Sequence, residues 1–328
     1  MRVGVCFVVM PLIFYNMVVL RQLMFVATMF TKQSKLFTSS YSLLAARNRD
    51  ATNWLLLSRR SFVCASGMAS STLFVPINSG NAADVYDSSL KIITGPEPSR
   101  LPALVYSPER KEGKTSSPKA VLICLHGAGK NDLDAWDLAN IKGEHAGFLP
   151  SLIANGLAPT EVLDNFVIIA PYSKGKASLY EESRRNVIDF IEWALREEGI
   201  GPEVPVFLFG FSDGATLAVE LLTTGRFNGA VVAAYGFTGT LPKLAQERLK
   251  GIPMWVFHSA DDVIFDVKCS DNLVRTLRKA NQEDGKKTEI LYSRFDSDQE
   301  GFTGRVRGHS TGITASKNAK VFEWLLSQ

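Results

Sequence analysis

Apolar positions along the chain follow two patterns, which predict buried strands and amphipathic helices. Continuous apolar runs of about five residues, bounded by Pro, Gly or charge, predict strands buried on both faces. Longer stretches with apolar residues three and four positions apart predict helices with one face on a core. Strands are predicted at 101–106, 120–125, 166–170, 230–234, 254–257 and 289–292; helices at 148–155, 181–196, 268–279 and 315–326; and a strand, a tight turn and a helix at 206–224.

This alternation of strands and helices predicts the fold class. It is typical of a doubly wound, mostly parallel α/β sheet with helices on both faces. Ligands of such sheets bind beyond the carboxyl ends of the strands. The search for chemistry therefore concerns the segments that follow each predicted strand.

The segment within 206–224 carries the clearest motif. Its apolar run ends in Gly-Phe-Ser-Asp-Gly at 210–214, and helical spacing of leucines follows. A G-x-S-x-G motif between a strand and a helix holds the serine in a sharp, strained turn with its hydroxyl exposed to substrate. We therefore predict that Ser212 is a nucleophile. The alternative is a glycine-rich turn whose serine caps the helix.

Charge is distributed unevenly and divides the chain. Eight of the 36 basic residues but only one of the 33 acidic residues lie within 1–83, so the remainder has a net charge of −4. A mildly acidic body without a basic stripe does not predict nucleic-acid binding. The hydrophobic fraction of 46% is enough for a large core. We predict a targeting leader at 1–83 and a single domain at 84–328.

The leader contains three segments typical of targeting signals. Residues 3–20 are almost wholly apolar, 31–58 are rich in Ser, Thr, Lys and Arg, and Ser58-Arg59-Arg60-Ser61-Phe62-Val63 resembles a twin-arginine signal. Cleavage after Ala83 is expected. The three stacked signals predict import into a plastid surrounded by extra membranes and then passage to the thylakoid lumen, with the secretory pathway or an over-extended gene start as alternatives. We expect no stable membrane anchoring of the mature form.

A serine nucleophile needs a base, and the base needs a carboxylate partner. In the order Ser, acid, His, only His309 fits as the base, because it follows the last predicted strand in Gly308-His309-Ser310. The acid is expected just past a strand that follows the nucleophile. Asp261 and Asp262, after the strand at 254–257, both satisfy that placement.

The serine also needs donors for the oxyanion that forms on attack. The backbone N–H of Asp213, directly after the nucleophile, is one expected donor. The second is expected from the loop at 126–129, with Ala128 as the first choice and Gly129 as the second. We interpret His126 as a structural hydrogen-bonding residue of that turn and His145 as a surface or helix residue.

Four segments in this order carry a family resemblance: Leu125–Gly129, Gly210–Gly214, His258-x-x-x-Asp262 and Gly308-His309. They resemble the α/β-hydrolase superfamily, and within it the phospholipase/carboxylesterase, acyl-thioesterase and dienelactone-hydrolase-like branch, over about residues 100–326. The resemblance implies an α/β-hydrolase fold and Asp262 as the acid. Ser259, Val263 and Asp266 stand where the family has a glycine and prolines, and Asp213 is also a departure.

The resemblance implies a serine hydrolase of carboxylic esters or thioesters that needs no cofactor and no metal. A serine peptidase of the same fold and a non-catalytic binding protein are the alternatives. Only 19 residues separate the strands at 230–234 and 254–257, so no large lid domain is expected. We predict apolar pocket walls from Trp136, Phe148, Tyr235 and Phe237. Arg305 and Arg307 beside His309 are candidates for anion recognition or a solvated loop face.

Overall fold

The computed structural model describes residues 90–328 except 98–99, 109–117, 130, 132–133, 144, 284 and 286–287. The predicted leader, residues 1–83, lies outside the described residues. The strands are β1 Leu90–Thr94, β2 Pro102–Tyr106, β3 Ala120–Leu125, β4 Phe166–Pro171, β5 Val206–Phe211, β6 Gly229–Ala233, β7 Met254–Ser259 and β8 Ile290–Phe295. The α-helices are α1 Leu149–Ala154, α2 Thr160–Asn165, α3 Arg184–Glu197, α4 Asp213–Leu222, α5 Lys243–Leu249, α6 Lys268–Glu283, α7 Thr311–Ser316 and α8 Ala319–Leu326.

The eight strands form one sheet in the order β1-β2-β4-β3-β5-β6-β7-β8. β1 pairs with β2 and β2 with β4 in antiparallel register, whereas every other neighbouring pair is parallel. The predicted doubly wound, mostly parallel sheet is confirmed. Because β3 and β5 to β8 are parallel, their carboxyl ends meet at one edge, and the predicted site residues all follow those ends.

Two apolar layers cover the sheet because side chains alternate between its faces. On β3, Val121, Ile123 and Leu125 join the core formed with α3, α4 and α6. Leu122 and Cys124 point to the other face and pack in the core formed with α1, α2, α7 and α8. The strand is therefore buried on both faces, as its continuous apolar run predicts.

The predicted closing helix at 315–326 is wrong in one respect, because two helices occupy this region. α7 ends at Ser316, and α8 begins at Ala319 after Asn318, whose side chain accepts a hydrogen bond from the Lys320 amide. An asparagine in extended conformation caps the new helix and interrupts the old one. α7 thus starts two residues after His309 and fixes the end of its loop.

The structure also contains elements that the apolar pattern did not indicate. These are the edge strand β1, the short helices α2 and α5, and the 3-10 turns Ala135–Ala139, Leu179–Glu181 and Gly304–Val306. α5 lies between β6 and β7 and has only seven residues, so this connection carries no lid domain. Within the part of the chain that the structure describes, no helix combines the length and apolarity needed to cross a membrane.

Candidate active site

Ser212 occupies the turn between β5 and α4. Its φ of 58° and ψ of −121° lie in a region that costs a non-glycine residue about 1–3 kcal/mol. Its side chain does not cap α4, and the residue is only 6% exposed. The alternative of a cap serine therefore does not describe this hydroxyl, which bonds to His309 instead.

The two glycines of the motif allow the chain to turn this sharply. A Cβ on Gly210 would overlap the Gly214 carbonyl, and a Cβ on Gly214 would overlap the Leu125 carbonyl at the end of β3. Only glycine fits at either position, because the obstructing atoms belong to the backbone. The two glycines are therefore required for α4 to pack against the edge of the sheet.

His309 lies in the loop after β8 and is flanked by two aromatic rings. The ring centroids of Phe211 and Phe265 lie 5.2 and 5.5 Å from that of the imidazole. The imidazole side chain is 11% exposed. Gly308 has a φ of +75°, and a Cβ there would overlap the backbone nitrogen of Asp262, so the histidine loop lies directly on the acid loop.

The imidazole joins Ser212 and Asp262. His309 Nδ1 is 2.8 Å from Asp262 Oδ2, and His309 Nε2 is 2.9 Å from Ser212 Oγ. A carboxylate only accepts hydrogen bonds, so Nδ1 carries the proton and Nε2 is free to accept from the serine hydroxyl. This tautomer is the one in which a histidine can take a proton from serine.

The structure distinguishes Asp262 from its neighbour. Asp261 accepts a hydrogen bond from Ser259 Oγ at 2.7 Å and lies 3.7 Å from the Arg307 guanidinium, whereas Asp262 contacts the imidazole. A third carboxylate, Asp266, accepts a hydrogen bond from the Lys268 amide at the start of α6. Asp262 therefore occupies the position that the resemblance implied for the acid.

Asp262 stays ionised although its side chain is fully buried. Burial raises the pKa of this carboxyl group. Hydrogen bonds from His258, His309 and the Phe265 amide lower it by more than burial raises it, so the net pKa lies well below the usual range. A negative charge beside the imidazole stabilises the imidazolium form. The site thus holds a permanent counter-ion for a protonated His309.

The backbone amides predicted to bind an oxyanion belong to Asp213 and to the 126–129 loop. The Asp213 N–H is in the first turn of α4, where amides have no acceptor within the helix. The Gly129 N–H donates to the Ala177 carbonyl at 2.9 Å, so that amide is already engaged. The Gly129 amide is therefore not free in this structure, and the assignment of Ala128 as the second donor stays a prediction.

The Asp213 side chain adds a carboxylate close to these donors. It accepts a hydrogen bond from Ser178, and burial raises its pKa although Ser178 and the nearby His309 act in the opposite direction. Ser178 was not singled out in the sequence, because its contact with Asp213 depends on the loop between β4 and α3. The nucleophile is therefore followed by a half-buried carboxyl group.

Two buried imidazoles, His126 and His145, lie at the 126–129 loop. His126 Nδ1 donates to the Gly127 carbonyl at 2.7 Å, and its Nε2 accepts from the Ser173 amide at 3.3 Å. The prediction of a surface or helix position for His145 is wrong, because this residue is 6% exposed and its Nε2 bonds to Asn131 Oδ1. The rings lie 4.6 Å apart. Burial lowers the pKa of His126 to about 3 and that of His145 to about 4, so both are neutral near pH 7.

Two of the four predicted pocket walls are core residues instead. Phe148 is 2% exposed and packs on Phe209, and Tyr235 is 3% exposed in the core on the other face. Trp136 and Phe237 are partly buried against those cores. The apolar side chains next to His309 are instead Phe211, at the end of β5, and Phe265, in the loop before α6.

No cluster of three His, Cys, Asp or Glu side chains suited to a metal ion occurs among the described residues. Of the two arginines beside His309, Arg307 lies against Asp261, and Arg305 is exposed.

Comparison with known proteins agrees with the fold and the family resemblance. The model of the phospholipase/carboxylesterase family matches residues 165–300, which include Ser212 and Asp262 but not the 126–129 loop or His309. No curated protein matches the sequence. The crystal structure of a thermostable esterase aligns with a TM-score of 0.55 and 20% identity over 73% of this chain and 63% of that chain, so the match spans less than two thirds of the esterase.

The alignment with a second solved structure spans almost all of that structure. An α/β-hydrolase enzyme from a Medee basin deep-sea metagenome library aligns with a TM-score of 0.50 and 14% identity over 73% of this chain and 98% of that chain. At such identities the structures establish the fold alone. The predicted α/β-hydrolase fold is confirmed, and so is the resemblance of residues 165–300 to the phospholipase/carboxylesterase family.

Proposed function

We propose that this α/β hydrolase of the phospholipase/carboxylesterase branch is a serine hydrolase that cleaves carboxylic esters or thioesters through an acyl-enzyme. The observation that carries the proposal is the hydrogen-bonded chain from Ser212 through His309 to Asp262, with contacts of 2.9 and 2.8 Å. A serine hydroxyl at neutral pH becomes a competent nucleophile only when such a base accepts its proton.

Acylation begins with attack of Ser212 Oγ on the carbonyl carbon of the substrate. The hydroxyl proton passes to His309 Nε2, and the resulting imidazolium is stabilised by the Asp262 carboxylate. The carbonyl oxygen becomes an oxyanion, which accepts hydrogen bonds from the Asp213 and Ala128 amides. When the tetrahedral intermediate collapses, the bond to the alcohol or thiol breaks, and this leaving group takes the proton from Nε2.

Deacylation repeats the sequence with water as the nucleophile. His309 Nε2 accepts a proton from water while its oxygen attacks the acyl carbon, and the same amides hold the second oxyanion. The bond between the acyl carbon and Ser212 Oγ then breaks, and the serine recovers its proton from the imidazolium. The products are a carboxylic acid and an unmodified enzyme.

The short connection between β6 and β7 bears on substrate size. Its one helix, α5, has seven residues, which is too few to form a lid over the sheet edge. A site that this connection leaves open favours short or exposed acyl groups, because a seven-residue helix does not enclose a long chain and exclude water from it. Esters and thioesters of short acids are therefore the first substrates to test.

A fluorophosphonate probe tests the proposal directly, because it labels only an activated serine. Labelling of the purified protein is expected, with loss of labelling in Ser212→Ala and His309→Ala. Ser316→Ala is a matched control, since this buried hydroxyl bonds to the Gly312 carbonyl of its own helix. A folded protein that does not label overturns the enzymatic proposal, and preferential cleavage of peptide amides would make it a peptidase.

We further propose that residues 1–83 direct the protein to a plastid, and from there to the thylakoid lumen. Support comes from the basic, Ser/Thr-rich composition and the Ser58-Arg59-Arg60 segment. Import into isolated chloroplasts, followed by mass spectrometry of the processed amino terminus, is expected to yield a lumenal protein beginning at Asp84. A fluorescent fusion of the full chain that is secreted and does not reach the plastid would instead favour the secretory pathway.

A further inference from the structure

A second histidine, His258, lies against the Asp262 carboxylate. It is the penultimate residue of strand β7, and its side chain is completely buried. Its Nε2 is 3.3 Å from Asp262 Oδ2 and 3.0 Å from the Phe265 carbonyl oxygen. Both oxygens only accept hydrogen bonds, so Nε2 carries a proton and is shared between them.

The other nitrogen of this imidazole has its own partner. His258 Nδ1 is 2.7 Å from the Oγ of Ser270, a fully buried residue in the first turn of α6. When the imidazole carries its single proton on Nε2, Nδ1 accepts a hydrogen bond from the Ser270 hydroxyl. Ser270 thereby holds the ring in the tautomer, required by the two acceptor oxygens, that presents an N–H group to Asp262. In the opposite tautomer, a lone pair would face the carboxylate.

Asp262 Oδ2 therefore lies between two imidazoles that both donate to it. His309 Nδ1 approaches the same oxygen at 2.8 Å, while Asp262 Oδ1 accepts from the Ile264 and Phe265 amides. The contacts form one continuous chain from Ser270 through His258, Asp262 and His309 to Ser212. All the links from Ser270 to Asp262 are buried, where hydrogen bonds to a charge are strongest.

We propose that His258 and Ser270 are positioning residues of the active site. They fix the orientation of the Asp262 carboxylate, and the hydrogen bond from His258 offsets part of its negative charge. His309 therefore has a counter-ion with a fixed position and a reduced effective charge. The proposal rests on the proposed function of the Ser212, His309 and Asp262 chain. Sharing matters because a carboxylate with one fewer donor attracts the His309 proton more strongly and makes the base less able to release it in the leaving-group step.

Two substitutions at position 258 separate the hydrogen bond from the packing. His258→Phe keeps a ring but donates nothing, and His258→Gln keeps an amide N–H at a similar reach. We expect His258→Phe to lower kcat for a neutral ester by about tenfold or more with KM within about twofold, as loss of a charge-assisted hydrogen bond predicts. The acid limb of the kcat/KM pH profile shifts to higher pH. His258→Gln recovers part of both effects.

A milder variant addresses folding. Ser270→Ala removes only the hydroxyl that bonds to His258 Nδ1, and Ser316→Ala removes an equally buried hydroxyl that bonds within its own helix. Thermal unfolding measures the stability of each variant. We expect both serine variants to fold, with the pH profile displaced in Ser270→Ala and unchanged in Ser316→Ala.

Proton NMR provides a readout that needs no substrate. The His309 Nδ1 proton, held between nitrogen and the Asp262 carboxylate, is expected to resonate far downfield in the wild-type protein. Its position should change in His258→Phe and Ser270→Ala and remain in Ser316→Ala. Absence of hydrolysis and of probe labelling in the wild type would contradict the proposed function alone. Unaltered pH profiles and resonances in folded His258 and Ser270 variants would overturn the positioning role.

Discussion

At the scale of single residues, adjacent aspartates have different environments, and this difference leads to a sharp prediction. Asp262→Asn removes the counter-ion of His309 and favours the wrong imidazole tautomer, so we expect kcat to fall by about 10³–10⁴-fold. Asp261→Asn weakens only a half-exposed ion pair with Arg307 and a bond to Ser259, and activity should stay within about threefold. Steady-state hydrolysis of a neutral ester measures both. Equal losses in the two variants would contradict the assignment.

Asp213 is the residue that relates charge to substrate choice. Its carboxylate follows the nucleophile and accepts from Ser178, so Asp213→Asn preserves the shape while removing the charge. We expect kcat/KM for an ester with a carboxylate to rise about tenfold relative to a neutral ester, as loss of about 1–2 kcal/mol of repulsion predicts.

The control for this substitution is Glu323→Gln, which removes an exposed charge from α8. The ratio of the two rate constants should not change in that variant. A ratio that also stays constant in Asp213→Asn would show that the Asp213 charge does not reach the substrate.

Sequence reasoning predicted only some of the residues of the candidate site. Ser212 and His309 followed from motif and chain order, because each must lie after a particular strand. Asp262 needed the family resemblance, since two adjacent carboxylates are equivalent to any spacing argument. His145 was misplaced because a single polar residue in a loop carries no periodic pattern, and its burial depends on Asn131 and the rings around it.

At the scale of elements, the loop between β8 and α7 must approach the loop after β7. Gly308 and Gly301 both have φ near +75° in the first of these loops, but their surroundings differ. A Cβ on Gly308 would overlap the Asp262 backbone, whereas a Cβ on Gly301 would meet no atom within 4 Å. Both positions carry the cost of a left-handed alanine, and only Gly308 also bears on the site.

Substituting these glycines tests whether loop contact holds the histidine in place. Gly301→Ala should lower the free energy of unfolding by about 1–2 kcal/mol and leave kcat unchanged. Gly308→Ala should lose at least as much stability, and its kcat should fall by about tenfold or more because His309 and Asp262 are displaced. Chemical denaturation and ester hydrolysis measure the two effects. Equal kcat values for the two variants would show that the close approach is unimportant.

Elements were predictable from sequence to the extent that their apolar pattern was continuous. Strands β3 to β7 are continuous apolar runs, and this pattern was enough to predict them. β1 is an edge strand with mixed exposure, and α2 and α5 each bury a single residue, so no periodic face announced them. The break between α7 and α8 arises from the Asn318 cap, which competes with an otherwise helical pattern.

At the scale of the whole molecule, the order of strands decides where the chemistry lies. Alternating elements predicted a parallel sheet, but the pairing of β3 between β4 and β5 and the antiparallel β1 and β2 depend on long-range contacts. This order brings the loop after β3 beside the nucleophile turn after β5, and it buries His126 and His145 beneath that junction. The stability of the molecule is thereby linked to two neutral imidazoles.

The pH dependence of unfolding should report that link. The pKa values of about 3 for His126 and about 4 for His145 lie below the ordinary 6.5, so the unfolded chain binds protons first as the pH falls. Below about pH 6.5, each histidine should lower the free energy of unfolding by about 1.4 kcal/mol per pH unit, until its folded-state pKa is reached. Asp137, which Tyr172 joins to this cluster, has a pKa raised by burial and acts in the opposite direction.

His145→Gln identifies the source of this slope. A glutamine amide can still donate to Asn131 Oδ1, but it does not titrate, so one proton is removed from the balance between the folded and unfolded states. Urea denaturation between pH 5 and 6.5 should show a decline in stability that is shallower in His145→Gln than in the wild type by about 1.4 kcal/mol per pH unit. Identical slopes would mean that His145 binds its proton equally well in both states, and that the cluster does not limit stability in acid.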